Sequence, residues 1–279
     1  MIFFGLACTA LENSDVRTAA VEIKAGTYSV GPYVLGTRSQ RSNREITLSY
    51  SYLIQATELS KGDYIRTTGG LPEERCVRSP DPSPLSLQDP ISCISWCDAI
   101  LLANVRSREE NLAPAYQIPS GMSFSMSEID CNENAQFVTL DLYASGWRLP
   151  TEAEWDIAAL GWKKEAQDLE KVAWFDQNAE NIPHAVRSKA ANPQGVYDMQ
   201  GNVSEWIWEE YGPLIQKRVK DPHRKEFHLL NGYARLIKGG NFTSSAKGLS
   251  LSARPQASAG MRSDKIGVRL VRTIRTVEE

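Results

Sequence analysis

The chain has 279 residues, 42% of them hydrophobic, enough for one large domain or two small ones with a genuine core. Basic residues number 31 against 34 acidic ones, a net charge of -3, so the basic footprint of a nucleic-acid-binding protein is missing. No apolar run approaches the roughly 20 residues that a membrane-spanning helix needs.

The first eight residues, Met1-Ile2-Phe3-Phe4-Gly5-Leu6-Ala7-Cys8, admit two readings. An apolar run ending in a small residue and cysteine looks like the tail of a bacterial lipoprotein signal. Cys8 would then be lipidated and would be the one route to membrane attachment. Against this, Gly5 stands where leucine is usual, and no basic n-region precedes it. The other reading is a buried N-terminal strand. Residues 1–25 are therefore taken as an N-terminal segment, a signal remnant with a linker.

Residues 26–36 read as a short strand broken by Gly and Pro, and the polar stretch 37–45 as a surface loop. Ile46 to Ile54 alternates odd and even, which predicts one strand with a buried face. Residues 69–89, rich in Gly, Pro, Ser and charge, predict a long loop. Ser95 and Asp98 form a capping-box pattern, and Cys97, Ile100, Leu101 and Val105 follow at helical spacing. Thr151 and Glu154 form a second box. Behind it Trp155, Ala158, Ala159 and Trp162 make one apolar stripe, simplest as core. Beyond residue 173 helical periodicity stops, leaving turns and short strands such as Arg235–Lys238 and Ile266–Leu270.

Cys76, Cys93, Cys97 and Cys131 show no Cys-x-x-Cys spacing and no histidine cluster, which argues against zinc. Burial as small apolar residues is the leading explanation. A disulfide is open in an oxidising compartment, with no pairing deducible from spacing.

Two stretches have an unusual residue order: Gly146-Trp147-Arg148-Leu149-Pro150-Thr151-Glu152-Ala153-Glu154-Trp155, and Gly195-Val196-Tyr197-Asp198-Met199-Gln200-Gly201-Asn202-Val203-Ser204-Glu205-Trp206. Both resemble the core signatures of the formylglycine-generating enzyme family, the sulfatase-modifying factors. Ala56 to Tyr64 resembles the family's "EVT…QY" passage, and Pro90 to Tyr116 its "VSW-DA" start and "PAY" end. The resemblance implies an α+β, C-type-lectin-like fold: two main helices on small antiparallel sheets with much irregular chain. The motifs run in family order, so residues 26–279 are expected to form a single domain.

Asp198 and Glu205 bracket a Gly-Asn turn, a mixture of carboxylate and carbonyl oxygens that suits a hard cation. The family holds calcium on the matching segment. Carried over, the resemblance implies one structural calcium on side-chain oxygens of Asp198 and Glu205 and main-chain oxygens of Gly201 and Val203. The family's second calcium site is not transferred, because Asn178 to Pro193 is too short and lacks the aspartate. Without metal, the two carboxylates need an arginine to neutralise them, or repel.

Lys238-Gly239-Gly240 through Arg269-Leu270 resembles the family's "RGG-W…R…R…GFR" end. There the oxidising members place two copper-binding cysteines. Aligned on Ala253-Arg254, those positions are Ala246 and Leu251, which cannot ligate or carry redox chemistry. No copper is expected. A related branch uses histidine-bound iron, but His184, His223 and His228 are too few and ill-spaced, so no iron is expected either.

Small and polar residues fill the vacated region: Thr243, Ser244, Ser245, Lys247, Ser250, Ser252, Gln256, Ser258 and Ser263, among Phe242, Leu249, Leu251 and Met261. That mixture suits an adaptable binding patch on a rigid frame. It also resembles the variable proteins of diversity-generating retroelements, which randomise surface residues in this region of the same fold. The expectation is a non-catalytic binding protein on a bacterial surface or secreted, with a cytoplasmic location as the alternative. Its partner is an unknown protein or other ligand at this patch, and not nucleic acid. The competing expectations are an enzyme with a relocated metal site and an accessory subunit that docks on a partner protein.

Overall fold

The computed structural model describes residues 18–34, 41–72, 76, 86–161, 169–214, 217–223 and 233–274. Cys8, Trp162 and His228 lie outside them. In chain order the strands are β1 (Ala20–Ile23), β2 (Gly26–Val34), β3 (Arg41–Leu48), β4 (Ser51–Gln55), β5 (Tyr116–Gln117), β6 (Thr139–Leu140), β7 (Ser204–Glu210), β8 (Arg218–Lys220), β9 (Ala234–Lys238), β10 (Gln256–Ser258), β11 (Ile266–Gly267) and β12 (Val271–Ile274). The helices are α1 (Lys61–Thr68), α2 (Trp96–Glu109), α3 (Glu128–Ala135), α4 (Glu152–Ala158) and α5 (Leu169–Val172). Small sheets and short helices give the expected α+β class. The sheets are ordered β1-β4-β12, β10-β9-β7-β11 and β2-β3-β8, with a β5-β6 ribbon. They are not wholly antiparallel: β11 runs parallel to β7, and β8 to β3.

Three expectations about elements are corrected. The domain does not begin at residue 26, because β1 pairs antiparallel with β4, from Ala20 opposite Gln55 to Ile23 opposite Tyr52. The stretch 37–45 is not all loop, since β3 starts at Arg41. The single strand expected from Ile46 to Ile54 is two strands, β3 and β4, with a bend at Ser49-Tyr50. The alternation carries through the bend because Tyr50 and Tyr52 both turn inward: Tyr50 Oη donates to Glu154 Oε1 at 3.0 Å and Tyr52 Oη to the Glu154 carbonyl at 2.6 Å.

Both capping boxes form as read. Ser95 Oγ accepts from Asp98 N at 3.1 Å while Asp98 Oδ2 accepts from Ser95 N at 2.8 Å. Thr151 and Glu154 repeat this at 3.1 and 2.8 Å. Each box closes two amides that a helix start would otherwise leave open. Two indoles then tie α2 to the central sheet reciprocally: Trp96 Nε1 donates to the Ile207 carbonyl and Trp206 Nε1 to that of Ile94, both at 3.0 Å. Burying aromatics of this size, with their N–H groups satisfied, is the main source of core stability.

The four cysteines are not free apolar fillers. Cys97 joins Cys131, linking α2 to α3, and Cys76 joins Cys93. Their pairing is tertiary, which is why spacing did not give it.

The core also encloses charge. Glu209, buried on β7, accepts from the first amide of α4, Glu152 N, at 2.9 Å. Burial, and then the nearby Glu152 charge, raise its carboxyl from an ordinary 4.5 to about 8. The folded state therefore holds a proton that the unfolded chain has lost, so stability falls as pH rises between those values. The melting temperature is expected to drop steadily from about pH 5 to about pH 8, and Glu209→Gln to reduce that slope measurably. A slope unchanged in the variant would place the proton elsewhere.

Candidate functional site

The turn at 198–205 is built on unusual backbone. Asp198, Gly201 and Asn202 all have positive φ, and a Cβ on Gly201 would sit 2.0 Å from the Trp174 carbonyl oxygen. Only glycine fits there. Glu58 then staples the turn: its carboxylate accepts from Asn202 Nδ2 at 2.7 Å and from Val203 N at 2.9 Å. Burial, with the charges of Asp198 and Glu205 beside it, pushes the Glu58 carboxyl well above the usual range. Sequence reasoning missed Glu58, although it stands within the Ala56–Tyr64 signature.

An arginine stands against Glu205, as one of the two expected ways to neutralise the pair requires. Arg269 Nη2 reaches Glu205 Oε1 at 2.7 Å, with Nε at 3.0 Å, and Trp155 Nε1 donates to Oε2 at 2.7 Å. Arg269 spends its other donors on the carbonyls of Gln55 and Tyr197 at 2.9 and 2.8 Å. Asp198 Oδ2 accepts from Arg187 N at 2.7 Å. Burial raises the Asp198 carboxyl to about 6 against the pull of that amide and of Arg269. Calcium needs six to eight oxygens in one shell. Both Glu205 oxygens already accept from nitrogen donors, so an ion on Asp198, Gly201, Val203 and Glu205 would share that carboxylate with Arg269 and Trp155. Among the described residues no group of three or more His, Cys, Asp or Glu is placed to hold a metal.

The expected binding patch divides. Its first part forms the wall of a cavity of about 700 Å³. Ala246 and Leu251, the positions of the family's cysteines, both line it, with Lys247, Leu249, Ser250, Ser252 and Ala253 from the same stretch. Pro32, Leu160, Leu169 and Gln200 complete much of the wall. Lys238 lies behind it, fully buried; its ammonium pairs with Asp156 at 2.9 Å and donates to the carbonyls of Leu251 and Ala253 at 2.8 and 3.1 Å. Gln200 Nε2 donates to the Leu249 carbonyl at 2.7 Å. Neither strut was legible as functional from sequence.

Phe242 does not belong to the displayed surface: it is fully buried against Val203, Ala179 and Trp174. Thr243 and Ser244 are half-buried turn formers, hydrogen-bonded to Asn241 at 2.9 to 3.0 Å, and Ser245 closes the next turn on Gly248. None of the three lines the cavity.

The second part, Gln256 to Ser263, sits against α2 and α3 instead. Asn132 Oδ1 accepts from Ser258 Oγ and from Gly260 N, each at 2.8 Å. Arg262 Nη2 pairs with Asp98 Oδ2 at 2.8 Å, and the Ser263 carbonyl accepts from Cys93 N at 2.9 Å. Gln256 and Met261 remain exposed. The structure therefore brings Lys247, Leu249 and Leu251 together and sets Gln256, Ser258, Met261 and Ser263 apart from them.

A family profile described as "Sulfatase-modifying factor enzyme 1-like domain" matches residues 9–274. The chain is 29% identical over 297 residues to "Chaperone protein LppX" of Paenibacillus barcinonensis, covering 96% of this chain and 94% of that protein. To the formylglycine-generating enzyme of Streptomyces coelicolor it is 28% identical over 123 residues, 35% of this chain and 37% of that one. Among solved structures, Treponema denticola variable protein 1 superposes with a TM-score of 0.75 at 27% identity, covering 91% of this chain and 94% of the other. CarF superposes with a TM-score of 0.68 at 26% identity, covering 92% and 98%. The fold is thus the C-type-lectin-like arrangement of the formylglycine-generating enzymes, and the chain belongs to the sulfatase-modifying factor enzyme 1-like family.

Proposed function

We propose that this protein is a non-catalytic member of its family that binds a ligand in the cavity walled by residues 246–253 and works on the bacterial surface or as a secreted protein. The observation that carries the reading is the cavity itself. Ala246 and Leu251 occupy the wall where the resemblance puts the oxidising cysteines, and alanine and leucine offer neither thiolate nor metal ligand. A concave, largely apolar pocket with a few polar groups is what small ligands and side chains enter. The two disulfides support a location outside the reducing cytoplasm. The likeness to Treponema denticola variable protein 1 supports a diversified wall.

The test of non-catalysis is direct. Purified protein loaded with copper(I) is incubated in air with a cysteine-containing peptide, and the products are read by mass spectrometry. No aldehyde is expected; turnover above a metal-only control overturns the reading.

A second reading, an accessory protein that docks on a polypeptide partner, is favoured by one observation. The likeness to a protein named as a chaperone runs nearly end to end.

A further inference from the structure

We propose that selectivity is set by four cavity-lining side chains, Lys247, Ser250, Leu251 and Ser252, and that in this protein they select a small amphipathic anion. The inference rests on the binding role proposed above and names the ligand chemistry of that same cavity.

The first observation is how the wall is held. Its backbone is fixed from behind by buried side chains of other elements: Lys238 takes the carbonyls of Leu251 and Ala253, and Gln200 takes that of Leu249. Lys247, Ser250 and Ser252 are not part of that support; among the described residues the hydroxyls of Ser250 and Ser252 bond each other, at 3.1 Å. Leu249 is different, since its side chain also packs on Val172, Ala173 and Phe175. Leu251 too packs in part on the main hydrophobic core. The wall conformation therefore depends least on which residues occupy positions 247, 250 and 252. The stretch 256–263 has no such freedom. Ala259 is fully buried, a Cβ on Gly260 would lie 2.3 Å from the Glu128 carbonyl oxygen, and Ser258 and Arg262 are spent on Asn132 and Asp98.

The second observation is what those side chains present. Among the described lining residues Lys247 is the one that carries charge, and its surroundings are Pro32, Leu160, Leu169 and Leu251 with the Ser250–Ser252 hydroxyl pair. An apolar wall removes a ligand's hydrocarbon from water, while an ammonium at the same site attracts an anion and disfavours a cation. Hydroxyls can donate to the anionic oxygens. The cavity of about 700 Å³ is within the range that holds such a molecule.

The test titrates the full chain with two dyes sharing one aromatic body: anilinonaphthalene sulfonate, an anion, and N-phenylnaphthylamine, which is neutral. The sulfonate is expected to bind one saturable site about tenfold more tightly than the neutral dye. Lys247→Glu should remove that preference and leave the neutral dye within about twofold. Leu251→Trp, which fills the cavity, should abolish both, while Phe137→Ser, at an exposed aromatic outside the wall, should change neither. Replacing Lys247, Ser250 and Ser252 together with alanine should move the melting temperature by less than about 3 °C, whereas Gly260→Ala should lower it by more. Equal binding of the two dyes, with Lys247→Glu silent, overturns the anion selectivity and leaves the cavity as a binding site. Dye binding that survives Leu251→Trp, or fails in the wild type, overturns the cavity itself. A large melting shift in that three-alanine variant overturns the independence of these positions from the frame.

Discussion

Arg269→Met is expected to cost about 3–5 kcal/mol of folding stability, a large part of the roughly 5–15 kcal/mol that holds a domain together. The arginine side chain is fully buried, and it neutralises a core that also contains Glu205, Glu58 and Asp198. Without it, Glu205 loses three close charged contacts and the carbonyls of Gln55 and Tyr197 lose their donors. A buried charge deprived of its partner is far more costly than a pair replaced as a whole. Urea unfolding measures this, and the double variant Arg269→Met with Glu205→Gln should recover part of the loss. A single variant within about 1 kcal/mol of wild type would show that another group neutralises the cluster.

Removing the Cys97–Cys131 bond, as Cys97→Ala with Cys131→Ala, is expected to cost about 3–4 kcal/mol on chain-entropy grounds for a separation of 34 residues. The effect should also be local. Cys131 precedes Asn132, whose side chain holds Ser258 and Gly260, and Cys97 precedes Asp98, which holds Arg262. The amides of Gly260 and Met261 should then exchange with solvent markedly faster, while the wall at 249–253, held by Lys238 and Gln200, should not change. Hydrogen exchange with peptide-level mass spectrometry reads both. Equal acceleration at the two places would show that the disulfide supports the whole domain rather than this loop.

What was legible in the sequence was local. The Ser95/Asp98 and Thr151/Glu154 boxes span three residues, so their chemistry is complete within one helical turn. The same holds for the Gly201-Asn202 turn, whose positive φ values need those residue types. The break between β3 and β4 was hidden because two inward tyrosines continue the alternation across it. β1 is four residues long, with a burial pattern too short to show a period.

At the site, the resemblance identified Ala246 and Leu251 as vacated positions, but no sequence pattern could separate wall from frame. Phe242 reads like a binding aromatic, yet the side chains that bury it come from residues 174, 179 and 203. The arginine that answers Glu205 stands 64 residues further on. Such contacts belong to the tertiary structure, and no spacing rule contains them.

The strand order β1-β4-β12 has a consequence for load. β1 and β12 both run antiparallel to β4, so they are parallel to each other. The chain enters the sheet at Ala20, level with Gln55, and leaves it at Ile274, level with Ser51. Tension applied between the two ends would slide the outer strands in opposite directions along β4, and both ladders would bear it at once. Hydrogen bonds sheared together must yield together, whereas a ladder pulled from one end unzips singly. Resistance to force is governed by the unfolding rate. A domain tethered at one end and tugged from the other would therefore yield slowly, with its cavity wall still in place.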